Sequence, residues 1–216
     1  MPELEHFLPR YAAEPPQETA PYGRWAERLG AAFTTAVGEL EPDPEEPAEA
    51  DGIGEVGELV WYPDRTWHGR TFVPVSTRTT TRLEAYGYVR YVPAGDEPGS
   101  EPRALEGDAQ VTGELAEHNP DWKIDLCESV VGSWRGDGDV AAMTLVWGRP
   151  LVSGAAHAVA ELDGIVVDRC PIREGRFTLL APDDFHGDTL EVAVLTANGE
   201  ELARESLYED DEDPEA

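Results

Sequence analysis

The chain has 216 residues, and its 45 Asp and Glu against 16 Lys and Arg give a formal net charge of −29 at pH 7. Binding of the whole molecule to nucleic acid or to an anionic membrane is disfavoured, because both need an excess of basic side chains. Its 21 Gly and 18 Pro favour short strands joined by turns over long helices.

Residues 1–54 form an acidic arm that contains one predicted helix. Residues 1–20 are rich in Pro and Glu, so we expect them to be disordered. Residues 22–40 are predicted to form an amphipathic helix, because large apolar residues recur there every four positions. The residues of this stripe are Trp25, Leu29, Phe33 and Val37. Residues 41–52 read as an acidic, Pro-rich linker without stable structure.

Residues 55–93 differ from the rest of the chain in charge and in aromatic content. They carry five Arg against four Asp and Glu, a net charge of +1, and hold seven of the 18 aromatic residues. Strands are predicted at 58–62 and 71–77 and in the long run 79–92. Eight residues of this segment are candidates for a binding face: Trp61, Tyr62, Trp67, His68, Arg70, Tyr86, Tyr88 and Arg90.

Two interpretations of this aromatic and arginine-rich segment remain open. Rings and guanidinium groups can stack on sugars or bases, or hold an acidic partner. The alternative is that the rings form the core of the segment's own sheet, because aromatic residues are ordinary strand residues. This structural alternative carries more weight than the functional one.

Residues 94–107 are predicted to be a loop, residues 108–208 a β-sandwich, and residues 209–216 an acidic disordered tail. Turns that contain Gly, such as Asp163-Gly164 and Asn198-Gly199, supply the positive φ angles of tight hairpins. The predicted strands of the sandwich are 109–115, 123–134, 140–147, 156–162, 165–170, 176–181, 189–196 and 201–207. The fold prediction is therefore a mainly β protein, an antiparallel sandwich with one N-terminal helix and acidic disordered arms.

A short stretch of the sandwich resembles a known family. The succession Gly148-Arg149-Pro150-Leu151, Ala158-Val159 and Gly175-Arg176-Phe177-Thr178-Leu179 is similar to that of carboxypeptidase-regulatory-like, transthyretin-like modules. The resemblance covers about 60 residues, and it departs from the family pattern after Pro182. It implies a non-catalytic accessory domain.

The sequence predicts no cofactor, no metal site and no catalytic site. No two of the five His have the spacing of metal ligands on one element. The acidic stretches Gly136–Asp139 and Pro182–Asp184 have too few oxygen ligands for a calcium loop and read as turns. Cys127 and Cys170 are expected to be reduced, buried residues on strands. A Cys127 nucleophile with His118 as its base is disfavoured for the same reason.

These observations predict a non-enzymatic protein-binding or scaffolding module whose partner is another protein. The alternative is an inhibitor or immunity-type protein whose acidic surface neutralises a basic partner. A hydrolase or metal enzyme is the third and least favoured class, since it needs a site that leaves no local motif. The start of the chain lacks the apolar run of a secretory signal, which predicts a cytoplasmic location.

Overall fold

The structure is a computed structural model, and it describes residues 20–95, 101–136, 139–183 and 190–207. In these ranges the chain forms one α-helix, α1 (Gly23–Gly38), and two short 3-10 helices. The strands are β1 (Val60–Trp61), β2 (Arg65–Trp67), β3 (Arg70–Arg78), β4 (Glu84–Val92), β5 (Arg103–Thr112), β6 (Ile124–Gly136), β7 (Asp139–Pro150), β8 (His157–Leu162), β9 (Ile165–Pro171), β10 (Phe177–Asp183), β11 (Leu190–Leu195) and β12 (Glu201–Ser206). The prediction of a mainly β, antiparallel protein with an N-terminal helix is confirmed.

The strands form three antiparallel sheets. In the N-terminal sheet the order is β1-β3-β4-β5, and β2 also pairs with β3. The central sheet has the order β10-β7-β6, and the outer sheet has the order β12-β11-β8-β9. Six of the nine strand pairings join strands that are consecutive in sequence, and the other three are β1-β3, β7-β10 and β8-β11.

The helix and the three sheets form four layers, and an apolar cluster fills the space between each two neighbouring layers. Leu29 and Phe33 of α1 pack on one face of the N-terminal sheet. The other face of that sheet packs on the central sheet, where Trp147 is fully buried. The second face of the central sheet packs on the outer sheet through residues such as Phe177 and Val192. The central sheet is therefore covered on both faces, and residues 55–93 share a core with the C-terminal part of the chain.

Strand β5 differs from its prediction. It begins at Arg103, inside the predicted loop 94–107, and it pairs with β4 of the N-terminal sheet instead of joining the C-terminal sandwich. The reason is a close helix contact: a Cβ on Gly107 would lie 2.5 Å from the Ala32 carbonyl oxygen. Small or apolar residues at every second position of β5 form this face, and they are Leu105, Gly107, Ala109 and Val111.

The linker 41–52 also differs from its prediction, because the structure gives it local hydrogen bonds. It contains the 3-10 helix Pro47–Glu49, and Glu49 is only 7 % exposed. The Glu49 carboxylate accepts a hydrogen bond from the Asp43 amide at 2.8 Å. Ala48 packs against Gly113, where an added Cβ would approach it to 2.5 Å. The hydrogen bond between the buried Glu49 carboxylate and the Asp43 amide thus stabilises a local structure in this linker, although its composition is typical of disorder.

Two further predictions concern the ends of the chain. The helix predicted at 22–40 is confirmed as α1. The predicted disorder of residues 1–19 and of the tail 209–216 lies outside the described residues. The described helices are all too short or too polar to cross a lipid bilayer.

Candidate functional site

The structure places three of the eight candidate binding residues in the core. Tyr62, Trp67 and Tyr88 are 5 %, 8 % and 4 % exposed, and they pack between the N-terminal and central sheets. Trp67 lies against Gly132 of β6, where an added Cβ would approach the indole to 2.6 Å. Burial raises the pKa of Tyr62 to about 12, and its hydroxyl is hydrogen-bonded to Ser76 at 3.3 Å. A single exposed face made of all eight residues is therefore not what the structure shows.

The other five candidates are spread over different surfaces. Trp61 and Tyr86 are half-buried, and Arg90 is paired with Glu106, with Nε donating to Oε2 at 2.8 Å. His68 and Arg70 are exposed at the turn between β2 and β3. His68 stacks on Trp67 with 4.2 Å between ring centroids, which fixes this turn over the core.

One free edge of the central sheet, that of β10, is covered by side chains. Arg65 of β2, which is 2 % exposed, donates from Nη1 to the Thr178 carbonyl oxygen at 3.2 Å. Arg65 also forms a two-point ion pair with Asp168 of β9. The second carboxylate oxygen of Asp168 accepts the Leu180 amide at 2.8 Å. Two outward backbone groups of β10, the Thr178 carbonyl and the Leu180 amide, therefore already have side-chain partners.

Two more residues complete the cover over β10. Burial raises the pKa of the Cys170 thiol to about 12, and that sulfur is hydrogen-bonded with the backbone of Thr178. Pro182 has no amide hydrogen, and proline in a sheet is typical of an edge strand. Backbone direction alternates from residue to residue along a strand. Pro182 lies two residues after Leu180 and four after Thr178, so its backbone points away from β7 as theirs does.

The opposite edge of the same sheet, formed by β6, is open in the described part of the chain. β6 has 13 residues and pairs with β7 alone. The Leu151 amide donates to the Lys123 carbonyl oxygen at 2.8 Å, which places odd-numbered residues on the β7 side. Backbone direction alternates along the regular part of β6, which runs from Ile124 to a register shift between Val130 and Gly132. Leu126, Glu128 and Val130 therefore direct their amides and carbonyls away from β7. Val130 is also 60 % exposed.

A row of polar residues on β5 lies beside this open edge. β4 packs opposite β6, and the side chains of Tyr88 and Ser129 are hydrogen-bonded. β5 is the next strand after β4, so it extends past the edge of the central sheet. Its residues on that face are exposed, and we call them the β5 shelf: Glu106, Asp108 and Gln110. A strand added to β6 would stack above this shelf.

The carboxylates near the β6 edge are electrostatically perturbed. Partial desolvation raises the pKa of Asp108, although this residue is still exposed, and the nearby Arg90 lowers it in part. Burial raises the pKa of Glu128 to about 7, and the negative charge of Asp183 adds to the shift. Asp183 is 1 % exposed and accepts the Leu190 amide at 3.1 Å. Glu128 Oε2 is buried and has no hydrogen-bond partner among the described residues.

The described residues show no arrangement for metal binding or thiol chemistry. No group of three or more His, Cys, Asp or Glu among them could hold a metal ion. Both cysteines are free thiols and lie in different sheets. Burial raises the pKa of Cys127 well above its ordinary value, which disfavours a thiolate, and His118 lies exposed in a 3-10 helix. Of the two acidic turns, Asp137 and Gly138 lie outside the described residues, as does Asp184.

Comparison of the chain with known protein families, with curated proteins and with solved structures found no match.

Sequence reasoning missed the β5 shelf and the residues that cover β10. Leu105 to Gln110 alternate between apolar or small residues and polar ones, and this period of two was a usable signal for a strand. No local signal indicates that Arg65 meets Asp168, because they are 103 residues apart and on different sheets.

Proposed function

We propose that this protein is a non-enzymatic binding module that takes up an extended, basic segment of a partner protein as an added strand on β6. The observation that carries the proposal is the contrast between the two edges of one sheet. Side chains from β2 and β9 cover the β10 edge, whereas the longer β6 edge pairs with β7 alone among the strands that the structure describes. An open edge strand is a template for pairing with another chain.

The surroundings of β6 define the side chains that such a segment should have. On one side it would face the β5 shelf, where the exposed Asp108 favours a Lys or Arg. On the other side it would lie beside the exposed Val130, which favours an apolar residue. Neighbouring residues of a strand point to opposite faces, so the expected pattern is an alternation of basic and apolar residues.

Charge distinguishes a foreign basic segment from a second copy of this chain. Pairing β6 with β6 of another copy would bring together two molecules that each carry a net charge of −29. Like charges across an interface oppose association, whereas a basic segment is attracted and steered to the site. The same argument supports the inhibitor or immunity-type alternative, in which the partner is a basic protein.

A binding experiment with the full chain tests this function. The probe is a short fluorescent peptide of alternating Lys and Val, and the control is the same peptide with Glu in place of Lys. We expect the Lys-Val peptide to raise fluorescence anisotropy, the Glu-Val peptide to have no effect, and binding to weaken at about 1 M salt, where the Debye length is about 3 Å.

Two variants of Val130 locate the binding to the β6 edge. Val130→Pro removes one outward amide, while Val130→Thr keeps it and preserves the branched shape. Loss of binding in Val130→Pro with retention in Val130→Thr, at equal melting temperatures, supports the proposal. Equal binding of both peptides, or undiminished binding by folded Val130→Pro, contradicts it. If the protein sediments as a dimer and Val130→Pro makes it a monomer, the strand added to β6 comes from a second copy of this chain and not from a foreign segment.

A further inference from the structure

A cleft of about 370 Å³ lies at the beginning of α1, away from the β6 edge. Its walls are residues 20–25, and its floor includes Val73 and Tyr91 of the N-terminal sheet. The volume is at the lower end of the range of small-molecule sites, about 300 to 1,000 Å³. The cleft contains neither Val130 nor the residues of the β5 shelf, so it is separate from the binding site proposed at β6.

Aromatic rings form much of this cleft. Trp25 and Tyr91 meet edge to face, with 4.9 Å between ring centroids and an angle of 85°. Tyr91 is held in place, since it is 7 % exposed and part of the core under α1. Tyr22 is 81 % exposed, the most exposed large apolar side chain among the described residues. An aromatic residue that contacts so little of its own protein is available for a ligand.

The charges around the rings are of both signs. Asp64 lines the cleft and is 9 % exposed, and its carboxylate contributes to the raised pKa of Tyr91 after the larger effect of burial. The Arg28 guanidinium lies 5.4 Å from the Trp25 ring centroid, so a cation of the protein itself occupies one face of this ring and leaves the other face for a ligand. Arg24 at the cleft is exposed and opposes a cation. The net charge of −29 on the whole chain attracts a cation.

We infer that Tyr22, Trp25, Tyr91 and Asp64 form a site for a quaternary ammonium group. The negative faces of aromatic rings attract a quaternary ammonium, which loses little hydration when it binds, and a carboxylate beside the rings adds to the attraction. The group is the same in a free molecule such as choline and in a trimethylated lysine side chain. The site is separate from β6, and it does not depend on the function proposed above.

Isothermal titration calorimetry of the full chain tests the inference. The probes are choline, acetylated trimethyl-lysine amide, and 3,3-dimethylbutan-1-ol, the neutral analogue of choline. We expect both ammonium compounds to bind and the neutral analogue not to bind. The tighter of the two ammonium probes identifies the source, a free molecule or a lysine side chain. Absence of heat with either ammonium probe, or equal affinity of the neutral analogue, overturns the inference.

Variants with opposite expected effects locate the site. Tyr22→Ala should weaken binding about two- to fivefold, which corresponds to a cation–π contact at an exposed site, and Tyr22→Phe should bind as wild type does. Arg24→Gln should strengthen binding, because it removes a competing positive charge. Val166→Ala, which changes a distant exposed residue, is the matched control. Undiminished binding by Tyr22→Ala, or weaker binding by Arg24→Gln, places the ammonium group elsewhere and overturns the inference.

Discussion

Removing the Arg65 guanidinium should destabilise the protein strongly. The side chains of Arg65 and Asp168 are 3 % and 12 % exposed, and Arg65 is the donor to Thr178 of β10. Arg65→Met keeps most of the apolar stem but leaves Asp168 without its counter-charge and the Thr178 carbonyl without its donor. Loss of one partner of a buried ion pair typically costs about 3 to 5 kcal/mol.

Urea unfolding followed by tryptophan fluorescence measures this cost. A loss of about 3 to 5 kcal/mol lowers the urea midpoint by about 1 to 2 M at slopes typical of such chains. The matched control is Arg90→Met, which breaks the pair with Glu106, where the side chains are 37 % and 55 % exposed. Exposed pairs contribute about 0 to 1 kcal/mol, so this variant should unfold nearly as wild type does.

A double substitution separates a charge effect from a packing effect. Arg65→Met combined with Asp168→Leu leaves no unpaired buried charge, so it should cost less than the sum of the two single substitutions. If Arg65→Met costs no more than Arg90→Met, or if the two costs simply add, the ion pair does not hold the β10 edge as described.

Two other predictions follow from the core and from the carboxyl group beside β6. Trp67→Ala should cost about 3 to 5 kcal/mol of stability, because it empties a core site. Gly132→Ala should also destabilise, because its added Cβ would lie 2.6 Å from the Trp67 ring. Urea midpoints like that of wild type in both variants would place Trp67 outside the core. The pKa of Glu128 is about 7 in the folded protein and has an ordinary value of 4.5. Between these pH values the folded protein binds more protons than the unfolded chain, so its stability falls as pH rises. Glu128→Gln should reduce that fall in melting temperature, and an unchanged pH dependence in this variant would show that Glu128 titrates normally.

Much of the fold is predictable from local patterns. The four-residue recurrence of Trp25, Leu29, Phe33 and Val37 specifies α1 and its buried face. Gly-containing turns and alternation locate β6 to β12 within a few residues, because hairpins have strong local signals. β2 has only three residues, and β5 follows an acidic, Pro-rich stretch, so both strands depend on partners that are distant in sequence.

The site was harder to predict than the fold, because it depends on how layers stack. Alternation shows that Tyr86, Tyr88 and Arg90 share a face of β4, but it does not show that the central sheet covers Tyr88 and leaves Arg90 at its border. The open edge of β6 is likewise a property of sheet order. Nothing local distinguishes it from β7, which is paired on both sides.

Amide hydrogen exchange along β6 shows directly whether this edge is open for an added strand. In the free protein, the outward amides of Leu126, Glu128 and Val130 should exchange quickly, whereas those of Cys127 and Ser129, which point to β7, should be protected. Adding the Lys-Val peptide should protect the outward set alone. Slow exchange of the outward amides in the free protein, or no change on adding peptide that binds, would contradict strand addition at β6.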